Sequence, residues 1–290
     1  MKDCKITLAS LPSLLSDTAK NLDEVEKAVA AAAEKKSRMI VLPELMLTGH
    51  GAHPLMAQNA EPVPDGQLSK KILRLSKEAN LCIVVGIAEL KCGVVYNSMM
   101  VSDRGDFLGC QSKMHPSGDE YCSFAPGHDV KAFDIDELRF GISICYDSRF
   151  HELGLIHNLN RVDAVLSAHA ARTGLWPDSP DAAFMRQKID TRQSSWEKRY
   201  TGIAQDYNFF VLLCDAVGPS TAGLEGVIAN HAGTVMAINP RGEVILRTEK
   251  KDISAEVAHI LLKADSLDFN HAPTRNRRLD TVVRLLKRYL

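Results

Sequence analysis

The 290-residue sequence lacks several features that mark specialised classes of protein. It has no charge excess, with 35 basic and 36 acidic residues, so its charge does not favour nucleic acid or an anionic membrane as partner. It has no apolar run near the roughly 20 residues that a membrane helix needs. Its first residues, MKDCKITLASL, are too polar for a signal peptide. These absences predict an ordinary soluble protein.

The seven cysteines form no CxxC pair and are scattered through apolar segments. Their odd number and their spacing argue against a disulfide framework and against a structural zinc site. We therefore expect a reducing, cytoplasmic environment and no metal. Six of the seven are expected to be small core residues, and Cys145 is the exception.

Short β-rich runs alternate with segments of helical spacing through the first two thirds of the chain. The clearest predicted helix spans about Thr18 to Lys36, where Leu22, Val25 and Val29 lie on one apolar stripe. The predicted strands are 5–11, 39–42, 81–87, 94–101, 140–144, 164–166 and 209–213, and the other predicted helices are about 69–78, 151–160 and 181–206. Because strand–helix–strand crossovers favour parallel pairing, this pattern predicts an α/β fold.

The last third of the chain has a different pattern. Residues 223–237, 242–247 and 254–260 are predicted strands, and the INPRGEV turn makes two of them an antiparallel hairpin. The chain has no repeat and no linker, so we expect a single domain over 1–290 with mixed strand pairing. Apolar positions at helical spacing predict a tail helix over about 277–290, docked on the domain or at an oligomer interface.

Cys145 ends the β-rich run FGISI and precedes a predicted turn and helix. In α/β folds ligands bind beyond the carboxyl ends of strands. The free N–H groups and partial positive charge at a helix start lower a thiol's pKa and stabilise an oxyanion. Cys145 is therefore a candidate nucleophile, although a single cysteine is more commonly a buried structural residue.

Two ionisable residues follow other strands in the same way. Glu44 comes after an apolar strand and Pro43, and desolvation beside Leu45 and Leu47 is expected to raise its pKa towards that of a general base. Lys113 follows a strand-like run and is placed to stabilise negative charge on a substrate oxygen. Taken singly, each is more commonly a surface residue.

Together these residues resemble the catalytic set of the nitrilase superfamily, the carbon–nitrogen hydrolases, in which Glu, Lys and Cys follow one another in this order. The resemblance rests on VLPE at 41–44, KMH at 113–115, FAPG at 124–127, GISICYDSRF at 141–150 and NPRGEV at 239–244. The CYDSRF form is most similar to Nit-type and omega-amidase-like members. His151 stands where many relatives have proline, which affects the expected specificity more than the expected chemistry.

This resemblance implies an α–β–β–α sandwich with mixed sheets, which dimerises into a four-layered assembly and often assembles further. It implies cleavage of a non-peptide C–N bond in a small amide or N-carbamoyl compound through a cysteine thioester, with release of ammonia or amine and without a cofactor. It also implies that Glu120 assists in positioning substrate or water, and that Tyr146 offers its backbone N–H to the oxyanion.

Substrate specificity is less determined by these motifs. A carboxylate on the substrate would need an arginine, whose fork geometry suits bidentate binding, and Arg149 and Arg172 are the candidates. An ion pair with Asp147 or Glu152 is an equally simple role for Arg149. His169 also follows a strand and is a candidate for the pocket wall.

Other functions use the same residues. A true nitrilase or an amide acyltransferase would need the same set, and a catalytically silent binding scaffold is the alternative outside enzymes. The presence of all three of Glu44, Lys113 and Cys145 argues against a silent scaffold. A papain-like protease with His169 as base is disfavoured, because that fold does not place its cysteine at the end of a parallel strand.

Overall fold

The computed structural model describes residues 1–15, 17–51, 54–176, 181–221, 228–249, 252, 254–267, 283, 284 and 287. The tail helix predicted over 277–290 lies outside the described residues, apart from Val283, Arg284 and Lys287. Within the described part of the chain, every helix is too short or too polar to span a bilayer.

The helices agree with the apolar periodicity of the sequence. The described residues contain α1 Thr18–Glu34, α2 Gln67–Ala79, α3 His151–Leu159 and α4 Ala182–Tyr207, and the short 3-10 helices Pro54–Ala57, Gly118–Cys122, Cys145–Arg149 and Ala264–Ser266. The Asp17 side chain caps α1 by accepting a hydrogen bond from the Lys20 amide, and Asp181 caps α4 in the same way. The predicted apolar stripe of α1 is buried.

Fifteen strands occur in the described residues. They are β1 Cys4–Ser10, β2 Met39–Val41, β3 Cys82–Lys91, β4 Val94–Asp103, β5 Asp106–Ser112, β6 Ala132–Ile135, β7 Leu138–Ile144, β8 Ala164–His169, β9 Arg172–Trp176, β10 Phe210–Asp215, β11 Val217–Thr221, β12 Ile228–Ala232, β13 Val235–Ile238, β14 Val244–Arg247 and β15 Glu256–Leu262.

These strands form two six-stranded mixed sheets and a small three-stranded one. The first sheet has the order β15-β1-β2-β3-β4-β5, and β1, β2 and β3 are parallel. The second has the order β14-β13-β10-β8-β7-β6, and β7, β8 and β10 are parallel. The connections between successive parallel strands contain α1, α2, α3 and α4, as the sequence predicts.

Side-chain alternation along the strands divides the core into layers. On β10, Phe210, Leu212 and Cys214 pack in the cluster between the two large sheets, whereas Val211 and Leu213 pack against α4. Alternate residues of β3 divide in the same way between the inter-sheet core and the cluster under α1 and α2. The result is the α–β–β–α sandwich that the resemblance implies, and this prediction is confirmed.

The largest difference from the prediction lies in residues 223–237. Residues 222–227 are outside the described residues, and the remainder is split into β12 and β13, which belong to different sheets. Gly233 separates them with a φ of +65°, a conformation that suits glycine. Apolar pattern alone does not reveal this break, because both strands are largely buried.

The cysteines are less uniformly buried than expected. Four of them lie in the core, namely Cys4, Cys82, Cys110 and Cys214, and Cys145 is partly exposed. Cys92 and Cys122 are exposed, so the expectation of six core cysteines is wrong for these two. Cys92 follows β3 directly and lies in the exposed turn to β4.

Candidate active site

Three of the predicted site residues follow strands of the two facing sheets. Glu44 lies three residues beyond β2, Lys113 directly follows β5, and Cys145 directly follows β7. The Lys113 Nζ atom lies 2.6 Å from Glu44 Oε1, and Lys113, Glu120 and Cys145 share the wall of a cavity of about 270 Å³. The structure therefore brings together the residues that the motifs single out.

Glu44 is fully buried, and both of its carboxylate oxygens accept hydrogen bonds. Oε1 accepts from Lys113 Nζ at 2.6 Å and from Asn97 Nδ2 at 2.8 Å, and Oε2 accepts from the Ala170 amide at 2.8 Å. Burial opposes ionisation, but the Lys113 charge and these donors hold the pKa of Glu44 below its usual value. The expected rise in this pKa is wrong, because the donors outweigh desolvation.

Lys113 is a buried cation between two carboxylates. Its Nζ also donates to Glu120 Oε1 at 2.8 Å and to Oε2 at 2.7 Å. Burial disfavours the charge of Lys113, but nearby Glu44 and Glu120 raise its pKa, so it stays protonated. The pKa of Glu120 is raised, first by burial and also by Glu44, although Lys113 opposes the rise. Glu44 is therefore the more readily ionised of the two carboxyls.

Cys145 is the first residue of the 3-10 helix that directly follows β7, and the chain turns sharply there. Its φ of +49° lies in the left-handed region, which costs a non-glycine residue about 1 kcal/mol. The Ser148 hydroxyl holds the turn by donating to the Cys145 carbonyl at 2.7 Å. Burial and the nearby Glu44 carboxylate raise the pKa of the thiol well above its usual value, although Lys113 opposes them. The expected fall in this pKa is wrong, because burial and the Glu44 charge outweigh the Lys113 charge.

Asp147 joins the turn at Cys145 to the segment that contains Lys113. It is buried, and its Oδ1 accepts from both the amide and the ring Nδ1 of His115 at 2.9 Å, while Oδ2 accepts from the Met114 amide at 3.2 Å. The His115 ring stacks on Phe150 with a centroid distance of 3.7 Å. The KMH and CYDSRF motifs therefore contact each other, and this contact sets the position of Cys145 relative to Lys113.

Gly86 sets the position of Glu44. The backbone of residues 43–45 packs directly on β3 at this glycine, where an added Cβ would lie 2.1 Å from Leu45 N and 2.5 Å from Pro43 O. The amide of Gly86 donates to the Pro43 carbonyl at 3.2 Å, and its carbonyl accepts from the Leu47 amide. No other residue type permits this approach.

The other predicted residues all line the cavity, but they differ in their partners. The Arg172 guanidinium pairs with both carboxylate oxygens of Asp119, at 2.8 and 3.2 Å. Arg149 lies over the Tyr146 ring, 5.5 Å from its centroid. No ion pair of Arg149 with Asp147 or Glu152 is found in the described part of the chain. Tyr146 follows Cys145, so its backbone N–H lies in the same turn.

His169 lies in the cavity wall as an uncharged residue. Its Nε2 is 2.8 Å from the Tyr200 hydroxyl and 3.0 Å from the Ser167 hydroxyl, and its ring packs on Trp196. Burial lowers the pKa of His169 to about 3. These contacts suit a packing and hydrogen-bonding residue.

Sequence reasoning missed five residues of the site, namely His50, Asn97, Arg192, Arg199 and His231. Asn97 lies in the middle of β4 and donates hydrogen bonds to Glu44 and Glu120. Its polar side chain within an apolar strand could have marked it as a site residue in the sequence. His50 Nδ1 and His231 Nε2 are 3.2 Å apart; burial lowers the pKa of His50 well below its usual value and that of His231 to about 3. Their positions 181 residues apart offered no signal.

Glu44, His50 and Glu120 place potential metal-ligand atoms within 4.8 Å of one another. The Lys113 ammonium contacts both carboxylates of this group. A lysine cation therefore already binds two of the three groups that a metal ion would need at this place.

Comparisons with known proteins agree with this geometry. The sequence model of the carbon-nitrogen hydrolase family matches residues 5–260. An (R)-stereoselective amidase of a Pseudomonas species is 29% identical over 274 residues, covering 93% of this chain and 91% of that protein. An omega-amidase of Xenopus laevis is 29% identical over 250 residues, covering 82% of each.

A solved structure of an amidase from Nesterenkonia sp. AN1 shares the fold, with a TM-score of 0.76 at 15% identity, covering 97% of this chain and 96% of that one. In that structure the acetamide moiety of fluoroacetamide is covalently attached to the active-site cysteine. The match of the family over most of the sequence, together with the shared fold, shows that this chain belongs to the carbon–nitrogen hydrolase family.

Proposed function

We propose that the protein hydrolyses a small linear amide or N-carbamoyl compound through a thioester on Cys145. The observation that carries this proposal is the buried Lys113–Glu44 ion pair, whose lysine lines the same cavity as a cysteine held in a left-handed turn. Strained backbone at a nucleophile is typical of sites where the surrounding structure fixes the reacting atom. The amidases among the relatives support an amide as substrate.

Glu44 is the proposed base. Because its pKa is lowered it is a carboxylate at neutral pH, whereas the Cys145 thiol keeps its proton because its pKa is raised. The proton passes from Sγ to Glu44 as Sγ attacks the carbonyl carbon. The Lys113 ammonium and the Tyr146 backbone N–H hold the negative charge that forms on the substrate oxygen.

The tetrahedral intermediate then collapses. The C–N bond breaks, and the protonated Glu44 gives its proton to the leaving nitrogen, which departs as ammonia or amine. A water molecule next attacks the thioester and passes a proton to Glu44, and the acid product leaves as Sγ recovers a proton. Glu120 keeps Lys113 in place and assists in positioning this water.

An ammonia-release screen tests the proposal. Small amides, N-carbamoyl compounds and nitriles are each incubated with wild-type protein, with the Cys145→Ala variant and with a control variant. The control is Cys92→Ala, which changes a cysteine in an exposed turn. We expect turnover of an amide or N-carbamoyl compound that is lost in Cys145→Ala and kept in Cys92→Ala. Acid-quenched wild-type protein should carry an acyl adduct on Cys145 by mass spectrometry. Substantial turnover by Cys145→Ala contradicts the proposal, and turnover of nitriles alone favours a true nitrilase.

We also propose that the protein is a cytoplasmic homodimer or larger homo-oligomer. Leu159, Ile245 and Leu261 are exposed large apolar side chains that an interface would cover. The seven cysteines are all free thiols, which suits a reducing compartment. Light scattering coupled to size-exclusion chromatography tests the assembly, and a mass equal to one chain contradicts it.

A further inference from the structure

The hydroxyl of Ser148 binds the backbone carbonyl of Cys145. Its Oγ donates to that carbonyl at 2.7 Å, and the Arg199 guanidinium donates to the same Oγ at 3.1 Å. A serine hydroxyl has one proton, and because Arg199 fills an acceptor position on the oxygen, the proton is left to point at the carbonyl. The positive charge of Arg199 also strengthens the bond that the hydroxyl donates. Ser148 therefore links α4 to the turn at Cys145.

A bond to this carbonyl also restrains the next amide. The C=O of Cys145 and the N–H of Tyr146 belong to one trans peptide unit, which is planar, so the two groups point in opposite directions. Hydrogen-bond geometry in a 3-10 helix is poorer than in an α-helix, so the five residues Cys145–Arg149 restrain this peptide unit weakly by themselves. The bond from Ser148 adds the missing restraint, and it thereby sets the direction of the Tyr146 N–H.

The two sides of this peptide unit face different spaces. Cys145 and Tyr146 line the cavity of about 270 Å³, whereas Ser148 is buried and lines a separate cavity of about 20 Å³ together with Asp147 and Tyr200. The carbonyl of Cys145 is bound on the side of the smaller cavity. The opposed N–H of Tyr146 is therefore directed towards the larger one, where the substrate carbonyl would lie.

We propose that Ser148 is a positioning residue of the oxyanion site, by which we mean the Lys113 ammonium and the Tyr146 N–H, and that Arg199 supports it. This inference rests on the amidase function proposed above, which assigns these two donors to the substrate oxygen. Ser148 acts through the peptide unit: it holds the Cys145 carbonyl so that the Tyr146 N–H already points at the oxygen when negative charge forms there. A donor that is fixed beforehand needs no reorganisation during the reaction.

Kinetics on the best amide from the ammonia-release screen test the inference. Removal of one oxyanion donor lowers kcat about 100- to 1000-fold, and a donor that is only misaligned should lower it less. Ser148→Ala should therefore lower kcat and kcat/KM equally, by about 10- to 100-fold, because the bond to the oxygen forms only in the transition state. Ser148→Thr keeps the hydroxyl and should retain kcat within about threefold. Unchanged kcat in Ser148→Ala, or equal losses in the two variants, overturns the inference.

Ser76→Ala is the matched control. Ser76 is also buried; its Oγ donates to the Leu81 carbonyl at 2.9 Å and accepts from the Gly105 amide at 3.2 Å. The variant removes the same kind of bond between a hydroxyl and a carbonyl, but at a place that does not contact the turn at Cys145. It should leave kcat and kcat/KM unchanged, and a loss equal to that of Ser148→Ala contradicts the inference.

Reaction with methyl methanethiosulfonate separates the oxyanion site from the thiol itself. Sγ of Cys145 loses its proton and bonds to the methylthio sulfur, methanesulfinate leaves, and no negative charge forms on a carbonyl oxygen. The rate at Cys145, followed by mass spectrometry of its peptide, should therefore change less than about threefold in Ser148→Ala. A loss as large as the loss in kcat means that Ser148 positions Sγ or the whole turn, and it overturns the inference.

Addition of an aldehyde does not depend on turnover. The probe is the aldehyde that matches the best amide, or propanal if no amide is hydrolysed. Sγ bonds to the aldehyde carbon, the C=O electron pair moves to the oxygen, and the thiol proton ends on that oxygen. Because this oxygen takes the place of the substrate oxygen, Ser148→Ala should weaken aldehyde binding about 10-fold, measured as protection of Cys145 from methyl methanethiosulfonate.

The aldehyde experiment also distinguishes the two proposals. If wild-type protein hydrolyses no amide but its aldehyde binding is weakened by Ser148→Ala, the proposed function fails and the role of Ser148 stands. If wild-type protein hydrolyses an amide and Ser148→Ala binds the aldehyde equally well, the proposed function stands and the role of Ser148 fails. If wild-type protein neither hydrolyses an amide nor binds the aldehyde, both fail.

Discussion

Replacement of Lys113 by methionine tests the electrostatic balance of the site. The lysine Nζ contacts Glu44 at 2.6 Å and Glu120 at 2.7 and 2.8 Å, and all three side chains are buried. Methionine keeps much of the side-chain volume but leaves two carboxyls facing each other without a cation. Removing one partner of a buried ion pair costs about 3–5 kcal/mol, so we expect a fall of about 4 kcal/mol in the free energy of unfolding.

The response of the remaining carboxyls gives this prediction a pH dependence. Without Lys113, burial and mutual repulsion raise the pKa of at least one carboxyl, which then takes up a proton on folding. A group whose pKa is higher in the folded than in the unfolded state stabilises the fold at low pH. The stability gap between wild type and Lys113→Met should therefore narrow as the pH falls from 8 to 5. Activity should fall at least 100-fold, because an oxyanion donor is lost.

A double-mutant cycle with Glu120→Gln tests whether the loss of stability comes from the two carboxyls that face each other without a cation. The double variant removes the cation and one of the two facing charges, so it should recover roughly 2 kcal/mol of the stability that Lys113→Met loses, without recovering activity. Urea titration followed by tryptophan fluorescence measures the unfolding free energies of all four proteins. A loss below about 1 kcal/mol in Lys113→Met, or a double variant no more stable than the single one, refutes the reasoning.

Two further predictions concern residues that the motifs do not contain. Gly86→Ala places a Cβ 2.1 Å from the backbone beside Glu44, and the resulting displacement should lower kcat/KM about 100-fold. Gly202→Ala is the control, because nothing lies within 4 Å of the added Cβ, and it should leave kcat/KM unchanged. Equal losses in the two variants contradict the steric argument. Burial raises the pKa of Asp215 to about 7, so its stabilising effect is complete below about pH 4 and is lost as the pH rises through 7. The free energy of unfolding of Asp215→Asn, measured by thermal unfolding, should therefore exceed that of wild type by an amount that grows from pH 5 to pH 8 and reaches roughly 4 kcal/mol. A difference that does not change with pH contradicts the assignment.

The helices and most central strands were predictable because their pattern is local. Whether a residue of α1 or β10 faces the core depends on its spacing from its neighbours, and burial selects apolar residues at that spacing. The edge strands β6, β9 and β11 were not predicted, and they contain polar or glycine residues that weaken the pattern. The split between β12 and β13 depends on one left-handed glycine, which periodicity does not reveal.

The sequence by itself determined which residues we propose as the reacting set. Glu44, Lys113 and Cys145 each follow a predicted strand, and the carboxyl ends of strands in facing sheets meet at one end of the sandwich. Their motifs also identified the family. The positions of these residues therefore follow from local pattern together with a resemblance.

Only the tertiary structure decided their ionisation and the charge of the pocket. Glu44 receives hydrogen bonds from Asn97 and Ala170, which are 53 and 126 residues away in the chain, and these contacts reverse the expected direction of its pKa shift. Asp119 neutralises Arg172, while α4 brings Arg192 into the cavity without an ion pair to any carboxylate in the part of the chain that the structure describes. The physical reason is that electrostatic energies depend on distance in space and on burial, and neither is determined by separation along the chain.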